Sequence, residues 1–179
     1  RSRRAYFANV SYLDDKIGEI LEALDGTDQT QDTIILFVSD HGDMLGERGL
    51  WFKMSFFDGS SRVPLMIAAP QMAPGRIDTP VSTMDVTPTI ADLVGINLGE
   101  VTPWTDGESL VPIASGAARQ VPVRIEYAAE ASIAPLVAIR DGRFKYVHCE
   151  VDPPLLFDLQ ADPHERRNLA DDPAHAEVT

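Results

Sequence analysis

The fold is decided by TIILFVSDHGDMLGERGLWFK, residues Thr33 to Lys53. Its apolar run, Ile34 to Val38, is rich in β-branched residues and ends in a glycine-containing turn, Ser39-Asp40-His41-Gly42. A short run of this kind predicts a fully buried strand. Ligands of open α/β sheets bind beyond the carboxyl ends of such strands. The sequence therefore places Asp40 and His41 where binding or chemistry is expected.

The flanking segments predict an α/β fold. Apolar residues recur at helical spacing from Val10 to Leu24, and Asp25-Gly26 suits a helix stop. A helix followed by a buried strand is half of an α/β repeat. Val63 to Ala69 predicts a second buried strand. A further helix is expected over Ile90 to Val94, with Asp85 or Thr87 as its N-cap.

The last third of the chain predicts a small antiparallel sheet. Pro, Gly, Ser and Thr accumulate from Gly99 to Gln120, as in a surface connector. Strands are expected over Val121–Ala128, Leu136–Arg140, Phe144–Glu150 and Leu155–Leu159, with a short helix over His164–Ala170. Asp141-Gly142 is a strong hairpin signal. We therefore expect two units, an α/β core at residues 1–111 and an antiparallel subdomain at residues 112–179.

Composition excludes several classes of partner. The 28 acidic and 15 basic residues give a formal net charge of −13, which disfavours nucleic acid and anionic membranes. No apolar run reaches the roughly 18 residues of a membrane-spanning helix. Cys149 is the single cysteine, so no intrachain disulfide can form. We expect a cytoplasmic protein with neither nucleic acid nor membrane as partner.

Asp40 and His41 are candidate metal ligands. A carboxylate and an imidazole both bind divalent cations, and Gly42 and Gly46 would let the chain turn so that the two side chains converge. Two ligands do not complete a site. Spacing alone leaves open the alternative of a helix cap beside a surface histidine.

Lys53 is a candidate anion-binding residue. A lysine beside a metal can hold a sulfate or phosphate oxygen as a point charge. Most lysines are merely solvated, but the aromatic setting Trp51 to Phe57 indicates a segment that is not wholly in solvent.

Together these motifs resemble a known family. The run Ser39 to Glu47, then Lys53, then Arg62-Val63-Pro64-Leu65, resembles the sulfatases of the alkaline phosphatase superfamily. The longer string LGERGLWFKMSFFDGSSRVPL is most similar to the choline-sulfatase branch, as is EYAAEASIAP from Glu126. The ending, with Leu156-Phe157-Asp158-Leu159, is typical of sulfatase C-termini. The resemblance covers nearly the whole chain.

The resemblance implies a fold, a reaction and roles for single residues. It implies the C-terminal portion of an alkaline-phosphatase-like core and the hydrolysis of a small-molecule sulfate ester, with choline-O-sulfate favoured. Asp40 and His41 match metal ligands for Ca²⁺, or for Mn²⁺ or Mg²⁺. Lys53 matches the catalytic lysine that binds the sulfate group and steadies the leaving oxygen. Glu130 falls where an acidic group would face the quaternary ammonium. We expect a homo-oligomer of the full-length enzyme.

The chain also departs from the family pattern. Sulfatases make a formylglycine nucleophile from the cysteine of a Cys-x-Pro-x-Arg motif, but Cys149 is followed by Glu150-Val151-Asp152 and is interpreted as a buried strand residue. Asp14-Asp15 lies within the predicted amphipathic helix and is not interpreted as the family's metal pair. We therefore expect a C-terminal portion whose nucleophile lies outside this chain and which is inactive alone.

Two alternative functions remain at this point. A phosphonate or phosphate monoester hydrolase of the same superfamily shares the Asp-His pair and the following lysine. A non-catalytic binding or assembly module could keep the fold without the nucleophile.

Overall fold

The structure, a computed structural model, describes residues 1–101, 103–128 and 132–178. The described helices are α1 (Ser2–Gly26), α2 (Asp58–Ser61), α3 (Val86–Leu93), α4 (Leu98–Val101) and α5 (Leu110–Ala114). The described strands are β1 (Ile35–Val38), β2 (Met44–Leu45), β3 (Trp51–Phe52), β4 (Leu65–Ala68), β5 (Val123–Tyr127), β6 (Leu136–Asp141), β7 (Phe144–Cys149) and β8 (Asp152–Asp158). They pair as β1 with β4, β2 with β3, and β5-β6-β7-β8 in that order. Within the ranges described, no helix combines the length and apolar character needed to span a bilayer.

Helix α1 confirms the amphipathic helix expected from the apolar spacing. It ends at Gly26, where the Thr27 hydroxyl donates to the Ala23 carbonyl oxygen at 3.1 Å. None of its residues is buried, and Leu13 and Ile20 are 52% and 67% exposed. Most helical stability in proteins comes from packing an amphipathic face. The described residues do not supply that packing for α1.

Strands β1 and β4 occupy the two predicted segments, but the expectation of full burial is wrong. They pair antiparallel, with Leu36 opposite Ile67, and their residues are half-buried or exposed. Val38 is 36% exposed. In the part of the chain that the structure describes, each strand has a single partner. A sheet of two strands is at best marginally stable on its own.

The hairpin of β2 and β3 and the short helix α2 connect these two strands. Met44 is 2% exposed and lies opposite Phe52 in the hairpin. Gly46 in the turn has a φ of +99°, which favours glycine. Ser60 of α2 is also 2% exposed. Gly42 in the loop after β1 and Lys53 in the loop after β3 both hydrogen-bond to Ser60 of α2. Helix α2 therefore contacts the two loops that carry the candidate site residues.

Helix α3 follows the predicted capping signals. Asp85 holds the N-cap position of α3 but makes no side-chain capping bond to it; Ser82 and Asp85 instead form a reciprocal capping box in the preceding turn. Asp85 is fully buried and is paired with Arg119 at 2.6 Å. That buried ion pair ties the start of α3 to the segment that leads into β5.

The four-stranded antiparallel sheet confirms the strands expected in the last third of the chain. Asp141-Gly142 connects β6 to β7, and Gly142 has a φ of +48°. The sheet packs a core whose members are nearly inaccessible to solvent: Ala138, Val147, Phe157 and Leu159. Cys149 at the end of β7 is half-buried rather than buried.

The helix expected over His164–Ala170 is wrong, because those residues form turns. Glu165 has a φ of +55°, and a left-handed residue cannot continue a right-handed helix. Its carboxylate instead accepts hydrogen bonds from Lys145 and from the backbone of Asp58. The division at residues 111 and 112 stays a prediction.

Candidate functional site

Asp40 lies directly beyond the carboxyl end of β1 and faces solvent. Its side chain is 83% exposed. The backbone N–H of His41 donates to Asp40 Oδ1 at 3.0 Å. That hydrogen bond, with a smaller contribution from the charge of Lys53, lowers the pKa of Asp40 below its usual value. Asp40 therefore presents an ionised carboxylate at neutral pH.

The His41 ring is oriented by its own backbone neighbour. Nδ1 lies 2.9 Å from the Gly42 carbonyl oxygen. A carbonyl oxygen only accepts, so this contact assigns the ring proton to Nδ1. In the neutral ring Nε2 then carries the lone pair that a metal ligand needs. Nε2 lies 3.4 Å from Asp40 Oδ2.

This spacing fits two ligands of one divalent cation. Neighbouring ligands at right angles around Ca²⁺, each about 2.4 Å from the ion, are about 3.4 Å apart. The donor set of carboxylate oxygen and imidazole nitrogen also suits Mn²⁺. Across the described ranges, no group of three or more His, Cys, Asp and Glu side chains could hold a metal ion. Asp40 and His41 thus fit part of a metal site.

Lys53 follows β3 and extends into solvent. The charge of its ammonium is the smallest of the causes that lower the pKa of Asp40, and it favours the ionised carboxylate. The backbone of Lys53 is held firmly. Its carbonyl oxygen accepts from the Ser55 backbone N–H at 2.8 Å and from the Ser60 hydroxyl. A fixed backbone with a free ammonium suits binding of an anion beside a metal.

Gly42 sets the distance between the Asp40 loop and α2. Its N–H donates to the Ser60 carbonyl oxygen at 2.7 Å. A Cβ at position 42 would lie 2.3 Å from the Gly59 carbonyl oxygen, which no side chain can occupy. The glycine of the Asp-His-Gly turn is therefore required for close approach.

Other sequence-predicted site residues lie elsewhere or outside the described residues. Asp14 and Asp15 lie in α1, the helix in which the sequence places them. Glu130 lies outside the residues that the structure describes.

Sequence reasoning missed a buried ion cluster of Lys145, Asp58 and Glu165 beneath α2. One signal was available. Lys145 and Val147 lie two residues apart in β7 and therefore share its buried face. A lysine on a buried face needs buried partners for its charge.

Comparison with known proteins identifies the family. Residues 1–96 match the Sulfatase family.

The chain belongs to the sulfatase family.

A choline-sulfatase of Rhizobium meliloti (strain 1021) is 67% identical to this sulfatase over 173 residues, which are 97% of the chain and 34% of that protein. The chain thus spans about a third of the length of this curated relative.

Solved structures confirm the expected fold. The phosphonate monoester hydrolase of Agrobacterium radiobacter is 34% identical, with a TM-score of 0.76 over 92% of this chain and 36% of that one. BT1596, a 2-O GAG sulfatase, is 30% identical, with a TM-score of 0.81 over 93% of this chain and 38% of that one. The α/β, alkaline-phosphatase-like fold predicted from the motifs is confirmed. Sulfatases generally use a divalent metal and a formylglycine.

Proposed function

We propose that this sulfatase chain supplies the metal-holding and sulfate-binding part of a sulfuric ester hydrolase. The observation that carries the proposal is the arrangement of Asp40 Oδ2 and His41 Nε2, 3.4 Å apart, with the turn after them and the backbone of Lys53 both hydrogen-bonded to Ser60. The similarity to a choline-sulfatase supports the sulfate ester as substrate class.

Each residue has a distinct task in the proposed site. Asp40 and His41 would hold a divalent cation, for which we propose Ca²⁺, with Mn²⁺ or Mg²⁺ as alternatives. Such a cation, when bound, supplies positive charge that polarises the sulfuryl oxygens. The Lys53 ammonium would donate hydrogen bonds to the sulfate group and offset the negative charge that develops on the leaving oxygen. The Gly42 carbonyl keeps the His41 proton on Nδ1, so that Nε2 stays available.

The nucleophile in this proposal is a formylglycine from sequence outside these residues. Cys149 has no Cys-x-Pro-x-Arg context and lies half-buried at the end of β7. We expect the chain alone to be inactive on sulfate esters for that reason.

Choline-O-sulfate is the proposed substrate, and Glu130 is the proposed contact for its quaternary ammonium. A carboxylate complements that bulky cation by charge. The 67% identity to a choline-sulfatase supports the choice. We also propose a cytoplasmic location, supported by the single cysteine, and a homo-oligomeric enzyme.

A phosphonate or phosphate monoester hydrolase is the second candidate. The likeness to the phosphonate monoester hydrolase of Agrobacterium radiobacter favours it. The Asp-His pair and the lysine would serve a phosphoryl group as well as a sulfuryl group, because both present anionic oxygens.

Steady-state assays of the full polypeptide that carries this sequence test the proposal. Choline-O-sulfate, an aryl sulfate and a phenyl phosphonate monoester are compared, with and without EDTA. Lys53→Ala is compared with Lys16→Ala, which removes an exposed lysine from α1. We expect Lys53→Ala to lower kcat/KM for choline-O-sulfate by about 10²–10³-fold. Lys16→Ala should leave it unchanged. A preference for the phosphonate ester would assign the second function, and no hydrolysis of any ester would favour a binding module.

A further inference from the structure

Lys145 is a buried lysine with a complete set of acceptors. Its side chain is 1% exposed. The ammonium donates to Glu165 Oε1 at 2.5 Å, to the Phe56 carbonyl oxygen at 3.0 Å and to the Asp58 carboxylate. A buried ammonium with three acceptors is fully hydrogen-bonded.

This cluster joins three separate parts of the chain. Lys145 belongs to β7 of the C-terminal sheet, Asp58 is the first residue of α2, and Glu165 lies in the turn after β8. Glu165 Oε2 also accepts from the Asp58 backbone N–H at 2.8 Å. Asp58 is thus held through both its side chain and its backbone, which fixes the start of α2 against the sheet.

Helix α2 in turn contacts both candidate loops. Ser60 is 2% exposed. Its carbonyl oxygen accepts from Gly42, next to His41, and its hydroxyl donates to the Lys53 carbonyl oxygen. One buried serine therefore links the metal-holding turn to the backbone of the sulfate-binding lysine.

Apolar and aromatic contacts support the same junction. The Phe57 and Phe157 rings are 6.1 Å apart between centroids. The Arg48 guanidinium lies 4.0 Å from the Phe57 ring centroid. The ring pair adds packing, and the guanidinium adds a cation–π contact at the same junction.

We propose that Lys145, Asp58 and Glu165 are positioning residues that fix the separation between the Asp40-His41 pair and Lys53 through α2. Buried ion clusters are often no more stabilising than apolar residues of the same volume, but they can impose one geometry. A site that divides its positive charge between a metal and a lysine needs such a fixed separation. The inference rests on the proposed role of Lys53.

A double-mutant cycle tests the inference in the full polypeptide. Lys145→Met and Lys53→Ala are made singly and together, and kcat/KM is measured with choline-O-sulfate at a temperature where far-ultraviolet circular dichroism shows each variant folded. If Lys145 acts through Lys53, Lys145→Met lowers kcat/KM by about tenfold or more alone but by less than about threefold in the Lys53→Ala background. Arg143→Met is the matched control, since it removes an ion pair from the same sheet away from α2. Its effect should be small and equal in both backgrounds.

Equal losses from Lys145→Met in both backgrounds would overturn the positioning role while leaving the role of Lys53 intact. An unchanged kcat/KM in Lys53→Ala would overturn the proposed function, and the inference with it. Where Lys145→Met does not fold, Glu165→Gln carries the same cycle, because it keeps the shape of the side chain and removes its charge. Additive losses for that variant would likewise overturn the proposal.

Discussion

The N-terminal and C-terminal regions of this sulfatase chain differ in how far their apolar side chains are buried. Helix α1 has no buried residue, and β1 and β4 form a two-stranded sheet with half-exposed faces. The sheet of β5 to β8 encloses a core in which Ala138 and Leu156 are fully buried. Yet Asp40, His41 and Lys53 all lie in the open region. The candidate metal ligands and the candidate anion-binding lysine thus lie where the described chain is least packed.

The ion pairs repeat this contrast. Arg3 and Glu47 in the open region are 57% and 54% exposed, and such pairs stabilise proteins by about 0–1 kcal/mol. The Lys145 cluster joins the two regions; its Lys145 and Glu165 side chains are 1% and 4% exposed, and Asp58 is 21% exposed. We therefore expect a substitution to lower the free energy of unfolding more when its side chain contacts the sheet of β5 to β8.

The largest effect is expected for Lys145→Met. The variant leaves the carboxylates of Asp58 and Glu165 without their shared partner, and breaking a buried ion pair costs about 3–5 kcal/mol. Urea unfolding measures the change, with Lys16→Met as the exposed control. A loss below about 1 kcal/mol would show that water reaches the cluster.

Leu156→Ala comes next, paired with Leu13→Ala. Leu156 is fully buried, so its truncation should lower the free energy of unfolding by about 2–5 kcal/mol. Leu13 is 52% exposed, and its truncation should change that free energy by about 0.5 kcal/mol or less. Equal losses in urea titrations would break the comparison, because they would mean that further polypeptide covers α1 in the protein.

Asp158→Asn should lower the free energy of unfolding at neutral pH but not at strongly acidic pH. Hydrogen bonding to Arg143 and to the N–H groups of Gln160 and Ala161 lowers the pKa of Asp158 from 3.8 to about 2. A depressed carboxyl pKa stabilises the fold above the unfolded value, and this stabilisation is lost as the pH falls from about 4 to about 2. Arg143 is half-exposed, so we expect about 1–2 kcal/mol at pH 7. Unfolding titrations from pH 2 to 7 should show the wild type and Asp158→Asn converging at the acid end.

A small and favourable effect is expected for Gly18→Ala. Gly18 lies inside α1 with no atom within 4 Å of a Cβ added there. Replacing an interior helical glycine by alanine stabilises by about 0.5–1 kcal/mol. A small rise in Tm should follow. A fall in Tm would indicate that another segment packs closely on this face of α1.

Local signals in the sequence were sufficient for most elements. Periodicity predicted α1, and Asp141-Gly142 predicted the hairpin of β6 and β7. They failed where a distant partner decides the conformation. Glu165 is in the left-handed region while bonded to Lys145 and Asp58, and no local pattern reveals such an arrangement.

The sequence indicated the residues of the candidate site but not their contacts. The Asp-His-Gly motif indicated a metal pair, and the structure supplies what the motif cannot, namely the Nδ1 contact and the 3.4 Å spacing. The link through Ser60 depends on how α2 folds back onto the two loops, and residue spacing carries no sign of it.

The Gly42 amide offers a spectroscopic consequence of this arrangement. Its proton is donated to the Ser60 carbonyl oxygen at 2.7 Å, at the contact between the Asp40 turn and α2. Exchange of that proton with deuterated solvent requires the contact to open. The exchange rate of this one amide therefore reports the opening of the contact between the Asp40 turn and α2. It can be measured by NMR without metal, substrate or turnover.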